Sequence, residues 1–380
     1  MDKISMKTDI YLGQGTLDRL MEWRDRRIFV VTDPFMIKSG MINMLFERLD
    51  DSNEQYIFSK IVPDPPIEVV TEGVETLGEF QADLIIAIGG GSAIDAAKAM
   101  KLFAYKILNL QEIQFVAIPT TSGTGSEVTS FSVISDKEKN IKYPLVDDHM
   151  LPQEAILDPE LVKSVPDFIT ADTGMDVLTH AIEAFVSIKA NDISDALAEK
   201  AMKLVFKYLP RAYQNGNDLE AREKMHNASC LAGMAFNITS LGLNHGIAHV
   251  AGAKFKIPHG RMNSLLLPYV IEFNADYKPG YGKEESNKTA ARYAELSKSI
   301  GLSAPNAKSG VRSLVQAIKQ LQKQLQMPQT LRECGVEEDL FETMKVEIAE
   351  GALQDGCTAT NPRVPAASDI VEILNKMYRT

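Results

Sequence analysis

The chain has 380 residues, 45% hydrophobic and 24% charged, with a formal net charge of −11. That length leaves room for two domains with cores of their own, and the acidic balance excludes nucleic acid or an anionic membrane as the main partner. Cys230, Cys334 and Cys357 are odd in number and far apart, so no disulfide framework or CxxC metal site is read from them, which fits a reducing cytoplasm.

From the start, MDKISMKTDIYLG lacks the apolar core of a signal peptide. No later apolar run reaches the length of a membrane span, so the expectation is a soluble, cytoplasmic protein. Arg27 to Thr32 (RIFVVT) reads as a strand ending at Asp33, followed by helical spacing from Pro34 to Leu49 and a second strand from Gln55 to Ser59. Pro63-Asp64-Pro65-Pro66 reads as a turn and Glu68 to Phe80 as a helix. Leu84 to Ile88 is a buried strand running into Gly89-Gly90-Gly91-Ser92, a helix starts at Ala93, and Phe115 to Ile118 is the next strand. Strands alternating with helices imply a mostly parallel sheet covered on both faces.

Beyond about Val162 helical patterns succeed one another: Ala171–Ser187, Asp192–Leu209, Leu219–Phe236, Leu241–Ala253 and onward to Asp369–Met377. The expectation is an α/β nucleotide-binding domain over 1–162 and an all-helical metal-binding and catalytic domain over 163–380. The Gly- and charge-rich segment Asp276 to Asn287 reads as a surface loop.

Gly89-Gly90-Gly91-Ser92, between a strand and a helix, suits an anion, because backbone N–H groups can approach it and the helix N-terminus is partly positive. Thr120-Thr121-Ser122-Gly123-Thr124-Gly125-Ser126 follows the next strand with small hydroxyl residues. Neither is GxGxxG or a Walker pattern, and either alone could be a tight connection. Two at successive strand ends favour a dinucleotide on a Rossmann-like sheet. Asp33, at the end of the first clear strand, could hold ribose hydroxyls and repel a 2′-phosphate, favouring NAD over NADP. It serves equally well as a helix cap before Pro34.

Six histidines occur in all, and LGLNHGIAHVAGAKFKIPHG (241–260) holds three of them: His245, His249 and His259. His245 and His249 are one helical turn apart, and Pro258 places His259 at the start of another helix. Upstream, GMDVLTHAIEAF puts Asp176 and His180 four apart. A lone histidine on an apolar helix face is ordinarily a core residue. Two such pairs and a further histidine in a His-poor chain point instead to a borderline divalent metal such as Fe²⁺, Zn²⁺ or Ni²⁺. Spacing alone does not decide which histidine stays outside the metal's ligand set. A nucleotide sheet beside a helical metal domain suggests hydride transfer to or from a carbonyl polarised by the metal.

These residues resemble the iron-containing (group III) alcohol dehydrogenases over essentially the whole chain. The matching motifs, in order, are GGGSAIDAAK (89–98), PTTSGTGSEVT (119–129), GMDVLTHAIEA (174–184), GLNHGIAHVAG (242–252), PHG (258–260) and CTATNPR (357–363). NIKYPL (140–145), AILDPELVKSVP (155–166), SDALAEKAMKLVFKYLP (194–210) and KMHNAS (224–229) are similar to the branch working in propanediol-utilisation microcompartments. The resemblance implies NADH-dependent reduction of propionaldehyde to 1-propanol, recycling NAD⁺. Family members acting on ethanol, 1,3-propanediol or lactaldehyde share most of these motifs. It further implies Asp176, His180, His245 and His259 as ligands of Fe²⁺, a set that zinc also suits, and His249 as the active-site histidine outside them. Gly89, Gly90, Gly91 and Ser92 would contact the pyrophosphate. Asp33, Thr120, Thr121 and Lys142 would line the rest of the NAD(H) site, and Phe236 and Cys357 the substrate pocket. A homodimer or higher homo-oligomer, alongside other microcompartment enzymes, is the family expectation. The turn often written PNPT in the family is PDPP here, at residues 63–66. The rival from another enzyme class is a lyase of the dehydroquinate synthase type, which also pairs NAD with a metal. The apolar Leu178, Ile182, Phe185 and Ile247 beside the histidines argue against a sugar phosphate.

Overall fold

The computed structural model describes residues 4, 6–110, 113–136, 141–276 and 288–379. Its contacts divide the chain into two compact units, Met1–Val165 and Pro166–Thr380.

In the first unit the strands are β1 (Asp9–Leu12), β2 (Arg27–Val31), β3 (Glu54–Phe58), β4 (Leu84–Gly89), β5 (Gln114–Pro119), β6 (Phe131–Asp136), β7 (Ile141–Val146) and β8 (Glu154–Leu157). Six of them form one parallel sheet in the order β1-β8-β5-β4-β2-β3, while β6 and β7 pair as a separate antiparallel ribbon. Helices in this unit are α1 (Pro34–Lys38), α2 (Asn43–Phe46), α3 (Ile67–Phe80) and α4 (Gly91–Leu108).

Alternation along the strands divides the side chains between two cores. Phe29, Val31, Ile85, Ala87, Phe115 and Ala117 pack with α3 and α4 on one face. Ile28, Val30, Leu84, Ile86, Ile88, Val116 and Ile118 pack with Leu17, Leu20, Met36 and Leu45 on the other. Both faces are covered, which is why β4 is a continuous apolar run instead of an alternating one. The single helix expected over Pro34–Leu49 is instead two short ones. Gly40, at φ +75, breaks the run, and the Ser39 N–H closes the first helix on the Phe35 carbonyl at 2.8 Å.

Among its described residues the second unit has helices and no strand: α5 (Asp167–Val186), α6 (Asp192–Gln214), α7 (Leu219–Thr239), α8 (Leu243–Phe255), α9 (His259–Asn274), α10 (Lys288–Ser299), α11 (Ala307–Gln324), α12 (Glu338–Gln354) and α13 (Ala367–Arg379). α6 runs past the expected end at Leu209, carrying Pro210 inside it. Leu209 and Ala212 keep that last stretch in the core formed with α5 and α7. A second core joins α8 and α9 to α12 and α13. α5 is buried along most of its length, so its polar residues must find partners inside the protein. Of the loop expected over Asp276–Asn287, everything beyond Asp276 lies outside the described residues. No described helix is long and apolar enough to cross a membrane.

Candidate active site

Asp176, His180 and Glu183 stand on α5 at spacings of four and three, which puts them on one buried face. α8 contributes His245 and His249, and α9 opens with His259 just after Pro258. The close approach of α9 to α5 depends on Gly260: a Cβ there would lie 2.2 Å from the Asp172 carbonyl oxygen. Arg261, next along, donates from Nε and Nη2 to the two Asp172 carboxylate oxygens at 3.1 Å each, tying the two helices together.

These elements bring four sequence-predicted side chains around one point. His245 Nε2 and His259 Nε2 are each 3.6 Å from Asp176 Oδ1, and His180 Nε2 is 4.0 Å from Asp176 Oδ2. Donor atoms of Asp176, His180 and His245 all lie within 4.8 Å of one another, and His259 joins them through Asp176. Tetrahedral donors ~2.1 Å from a common metal stand about 3.4 Å apart, so the spacing fits a divalent transition metal.

The electrostatics fit as well. Glu183 Oε2 accepts from His245 Nδ1 at 2.5 Å, and Glu183 Oε1 accepts from the Asn244 N–H at 2.7 Å. Asp176 and Glu183 are both buried, and their partners are imidazoles, an amide and a backbone N–H. Burial by itself would lower the pKa of His245, but the carboxylates of Glu183 and Asp176 raise it to about 9. Burial would raise Asp176, yet the imidazoles of His180, His259 and His245 hold it well below the usual carboxylate range. The same burial, with the neighbouring imidazoles, lowers His259 to about 3, and two buried carboxylates beside neutral imidazole donors suit a cation.

His249 points elsewhere. Its Nδ1 is 2.8 Å from Asp355 Oδ2, at the end of α12, and Asp355 Oδ1 accepts from the Cys357 N–H at 2.8 Å. Asp355 thus links the predicted active-site histidine to the predicted pocket cysteine. Burial and the neighbouring Asp355 carboxylate push the Cys357 thiol well up, keeping it neutral. Phe236 packs on the His180 ring with centroids 4.7 Å apart.

In the first unit, adjacent strands β5, β4 and β2 end side by side, and their C-terminal ends carry the predicted nucleotide residues. Gly89 closes β4 with φ +157, and a Cβ on it would come within 2.7 Å of Ala93 Cβ and 3.3 Å of Asp33 Oδ2. Gly90 caps α4, and Gly91 and Ser92 begin it. The Thr120 N–H donates to the Gly89 carbonyl at 2.9 Å, while the Thr121 side chain is 3.6 Å from where a Gly90 Cβ would sit. Asp33 is a helix cap: Oδ1 accepts from the N–H groups of Phe35 and Met36 at 2.8 and 3.1 Å. Its Oδ2 faces Gly89. Lys142, on β7, is paired with Asp64 of the PDPP turn at 2.6 Å.

Sequence reasoning missed Glu183, Asp355 and a buried polar lock behind the glycine turn. Lys98 donates to Ser126 Oγ, Thr129 Oγ1 and the Phe131 carbonyl at 2.8, 2.9 and 2.9 Å, and Ser126 Oγ donates to Asp95 at 2.6 Å. Burial, opposed by the Asp95 and Glu127 carboxylates, lowers the Lys98 pKa to about 8. Glu183 had a legible signal, seven residues after Asp176 on the same helix face. Asp355 had none.

Two family models match: one described as iron-containing alcohol dehydrogenase over residues 7–159, and the C-terminal model of the Fe-containing alcohol dehydrogenase family over 170–378. The chain belongs to the iron-containing alcohol dehydrogenase family. It is 45% identical over 379 residues to 1-propanol dehydrogenase PduQ of Citrobacter freundii, covering 99% of this chain and all of that protein. An NADPH-dependent butanol dehydrogenase of Clostridium saccharobutylicum is 39% identical, covering 100% of this chain and 98% of that one. Among solved structures, sulfoacetaldehyde reductase from Bifidobacterium kashiwanohense in complex with NAD⁺ aligns with a TM-score of 0.87 at 30% identity, covering 100% of this chain and 99% of that one. These matches do not favour the lyase alternative.

Proposed function

We propose that this family member is a metal-dependent, NAD(H)-linked alcohol dehydrogenase that reduces a short-chain aldehyde, propionaldehyde above all, to the primary alcohol and regenerates NAD⁺. The observation carrying this reading is the donor set in which His180, His245 and His259 each stand 3.6 to 4.0 Å from a carboxylate oxygen of Asp176. Its chemistry suits iron, and the family name supports iron over zinc. When bound, the metal would supply Lewis-acid polarisation of the carbonyl, and the nicotinamide would supply the hydride.

In this reading the protein's residues bind, orient and deliver a proton. His249, with Nδ1 held by Asp355, offers Nε2 to hand a proton to the reduced oxygen. Phe236 and the neutral Cys357 line a small, weakly polar pocket. Gly89, Gly90, Gly91 and Ser92 take the pyrophosphate at the N-terminus of α4. Thr120 and Thr121 offer hydroxyls, and Asp33 Oδ2 holds ribose while Oδ1 keeps its cap. Lys142 reaches the cofactor only by sharing its charge with Asp64. The α/β part, 1–162, then serves NAD(H), and the helical part, 163–380, serves metal and chemistry. A homodimer located in a microcompartment extends the same proposal, supported by the 45% identity to PduQ. Light scattering and co-purification with compartment enzymes test that extension.

The deciding experiment is NADH oxidation by anaerobically purified protein with acetaldehyde, propionaldehyde and butyraldehyde, with metal content assayed in parallel. Turnover that tracks iron and is fastest with propionaldehyde is expected. Iron-tracking turnover with another aldehyde discards the propanol assignment alone, and no turnover in metal-loaded protein overturns the proposal.

A further inference from the structure

We propose that Lys98 and Asp95, buried behind the two strand-end turns, are positioning residues that hold the second turn against the first and so set the affinity for NAD(H). This rests on the cofactor reading of those turns given above.

Gly91, Asp95 and Lys98 stand on α4 at spacings of four and three, so they share one face of that helix. The chain that follows β5 is laid along this face. At its start the Thr120 N–H donates to the Gly89 carbonyl at 2.9 Å. A Cβ on Gly91 would lie 2.5 Å from Thr124 Cγ2, so the missing side chain lets the second turn come this close. Further on, the Lys98 ammonium donates to Ser126 Oγ, Thr129 Oγ1 and the Phe131 carbonyl at 2.8, 2.9 and 2.9 Å. The Asp95 carboxylate accepts from the Ser126 hydroxyl at 2.6 Å and from the Val133 N–H at 3.0 Å. Its backbone carbonyl accepts from the Ser132 hydroxyl at 2.8 Å. Residues 120–126 are therefore tied to β4 at one end and to α4 at the other.

For mere fastening this is an expensive arrangement. Lys98 is wholly buried, and its three acceptors use all three N–H groups of the ammonium. Ser126 bridges that charge to Asp95, and the buried Glu127 acts on the same charge. A buried pair of this kind contributes little net stability, since apolar side chains of like volume hold two segments together as well. What fixed donors and acceptors add is one geometry. The second turn contains Gly123 and Gly125, which leave its backbone free to take many shapes. Pinning both ends removes beforehand the ordering cost that a loose turn would add to cofactor binding.

Calorimetric titration of the full-length, metal-loaded protein with NADH tests the assignment. Lys98→Met keeps most of the side-chain length and removes the ammonium. Thr129→Val removes one of the three acceptors at nearly constant volume, and decides the matter alone if Lys98→Met fails to fold. NADH is expected to bind about tenfold more weakly to Lys98→Met and about threefold more weakly to Thr129→Val. Leu49→Ala, in the core on the opposite face of the sheet, lowers stability without touching either turn and should leave NADH affinity unchanged. Wild-type NADH affinity in Thr129→Val overturns the proposal. So does an equal loss of affinity in Leu49→Ala, which would make general destabilisation the cause. A wild-type protein that binds no NADH overturns the cofactor reading of the turns instead.

Discussion

His249 and His259 stack with centroids 5.4 Å apart and an interplanar angle of 12°, yet their hydrogen-bonding partners differ. His259 reaches Asp176, while His249 is turned to Asp355. Replacing His249 with Ala should therefore lower kcat by about 10²-fold with metal content intact. Steady-state kinetics beside metal analysis checks this, and loss of metal would place His249 among the ligands. Asp33 caps α1 through Oδ1, and Asp33→Gly tests the second role proposed for its Oδ2. A glycine caps almost as well, at a few tenths of a kcal/mol, whereas removal of the carboxylate should relax discrimination against NADPH. Unchanged cofactor preference in a kinetic comparison would leave Asp33 as a cap alone. Asp33 was legible as a strand end followed by Pro34. The placement of its Oδ2 was not, because that oxygen meets Gly89 only once β4 is folded beside β2.

At the scale of elements, the site depends on how closely three helices approach. Gly260 is a point of close approach between α9 and α5, and a methyl group there would overlap the Asp172 carbonyl at 2.2 Å. Gly260→Ala should cost about 1–3 kcal/mol of stability and carry His259 away from Asp176, weakening metal binding along with it. Chemical denaturation and chelator competition on the same variant measure both effects, and normal metal affinity would show that α9 shifts without moving His259. The sequence marked Pro258 as a helix start, and α9 does begin at His259. Elsewhere local pattern misled. Pro34–Leu49 has helical spacing but contains Gly40, which takes a left-handed conformation. Strands β1 and β8 are only four residues long and escaped notice because so short a run has no readable period.

For the molecule as a whole, the metal and the fold are thermodynamically linked. A ligand bound only by the folded state stabilises it by RT ln(1 + [L]/Kd), about 4 kcal/mol at a thousandfold excess over Kd. Stripping metal should therefore lower the unfolding temperature and speed hydrogen exchange first in α5, α8 and α9, with the parallel sheet of Met1–Val165 less affected. Uniform loss of protection along the chain would argue that the metal stabilises by another route. Much of this organisation was legible without coordinates. Two strand-end glycine turns and two i, i+4 pairs of ligand residues are local features, dictated by backbone reach and helical pitch. What holds those residues to their task is not local. Glu183 meets His245 across 62 positions of sequence, Asp355 meets His249 across 106, and Asn263 meets Asp176 across 87. A carboxylate or amide has no periodic signature that names its partner. Only burial in a shared core, where an unpaired polar group is costly, decides which of them turns towards the site.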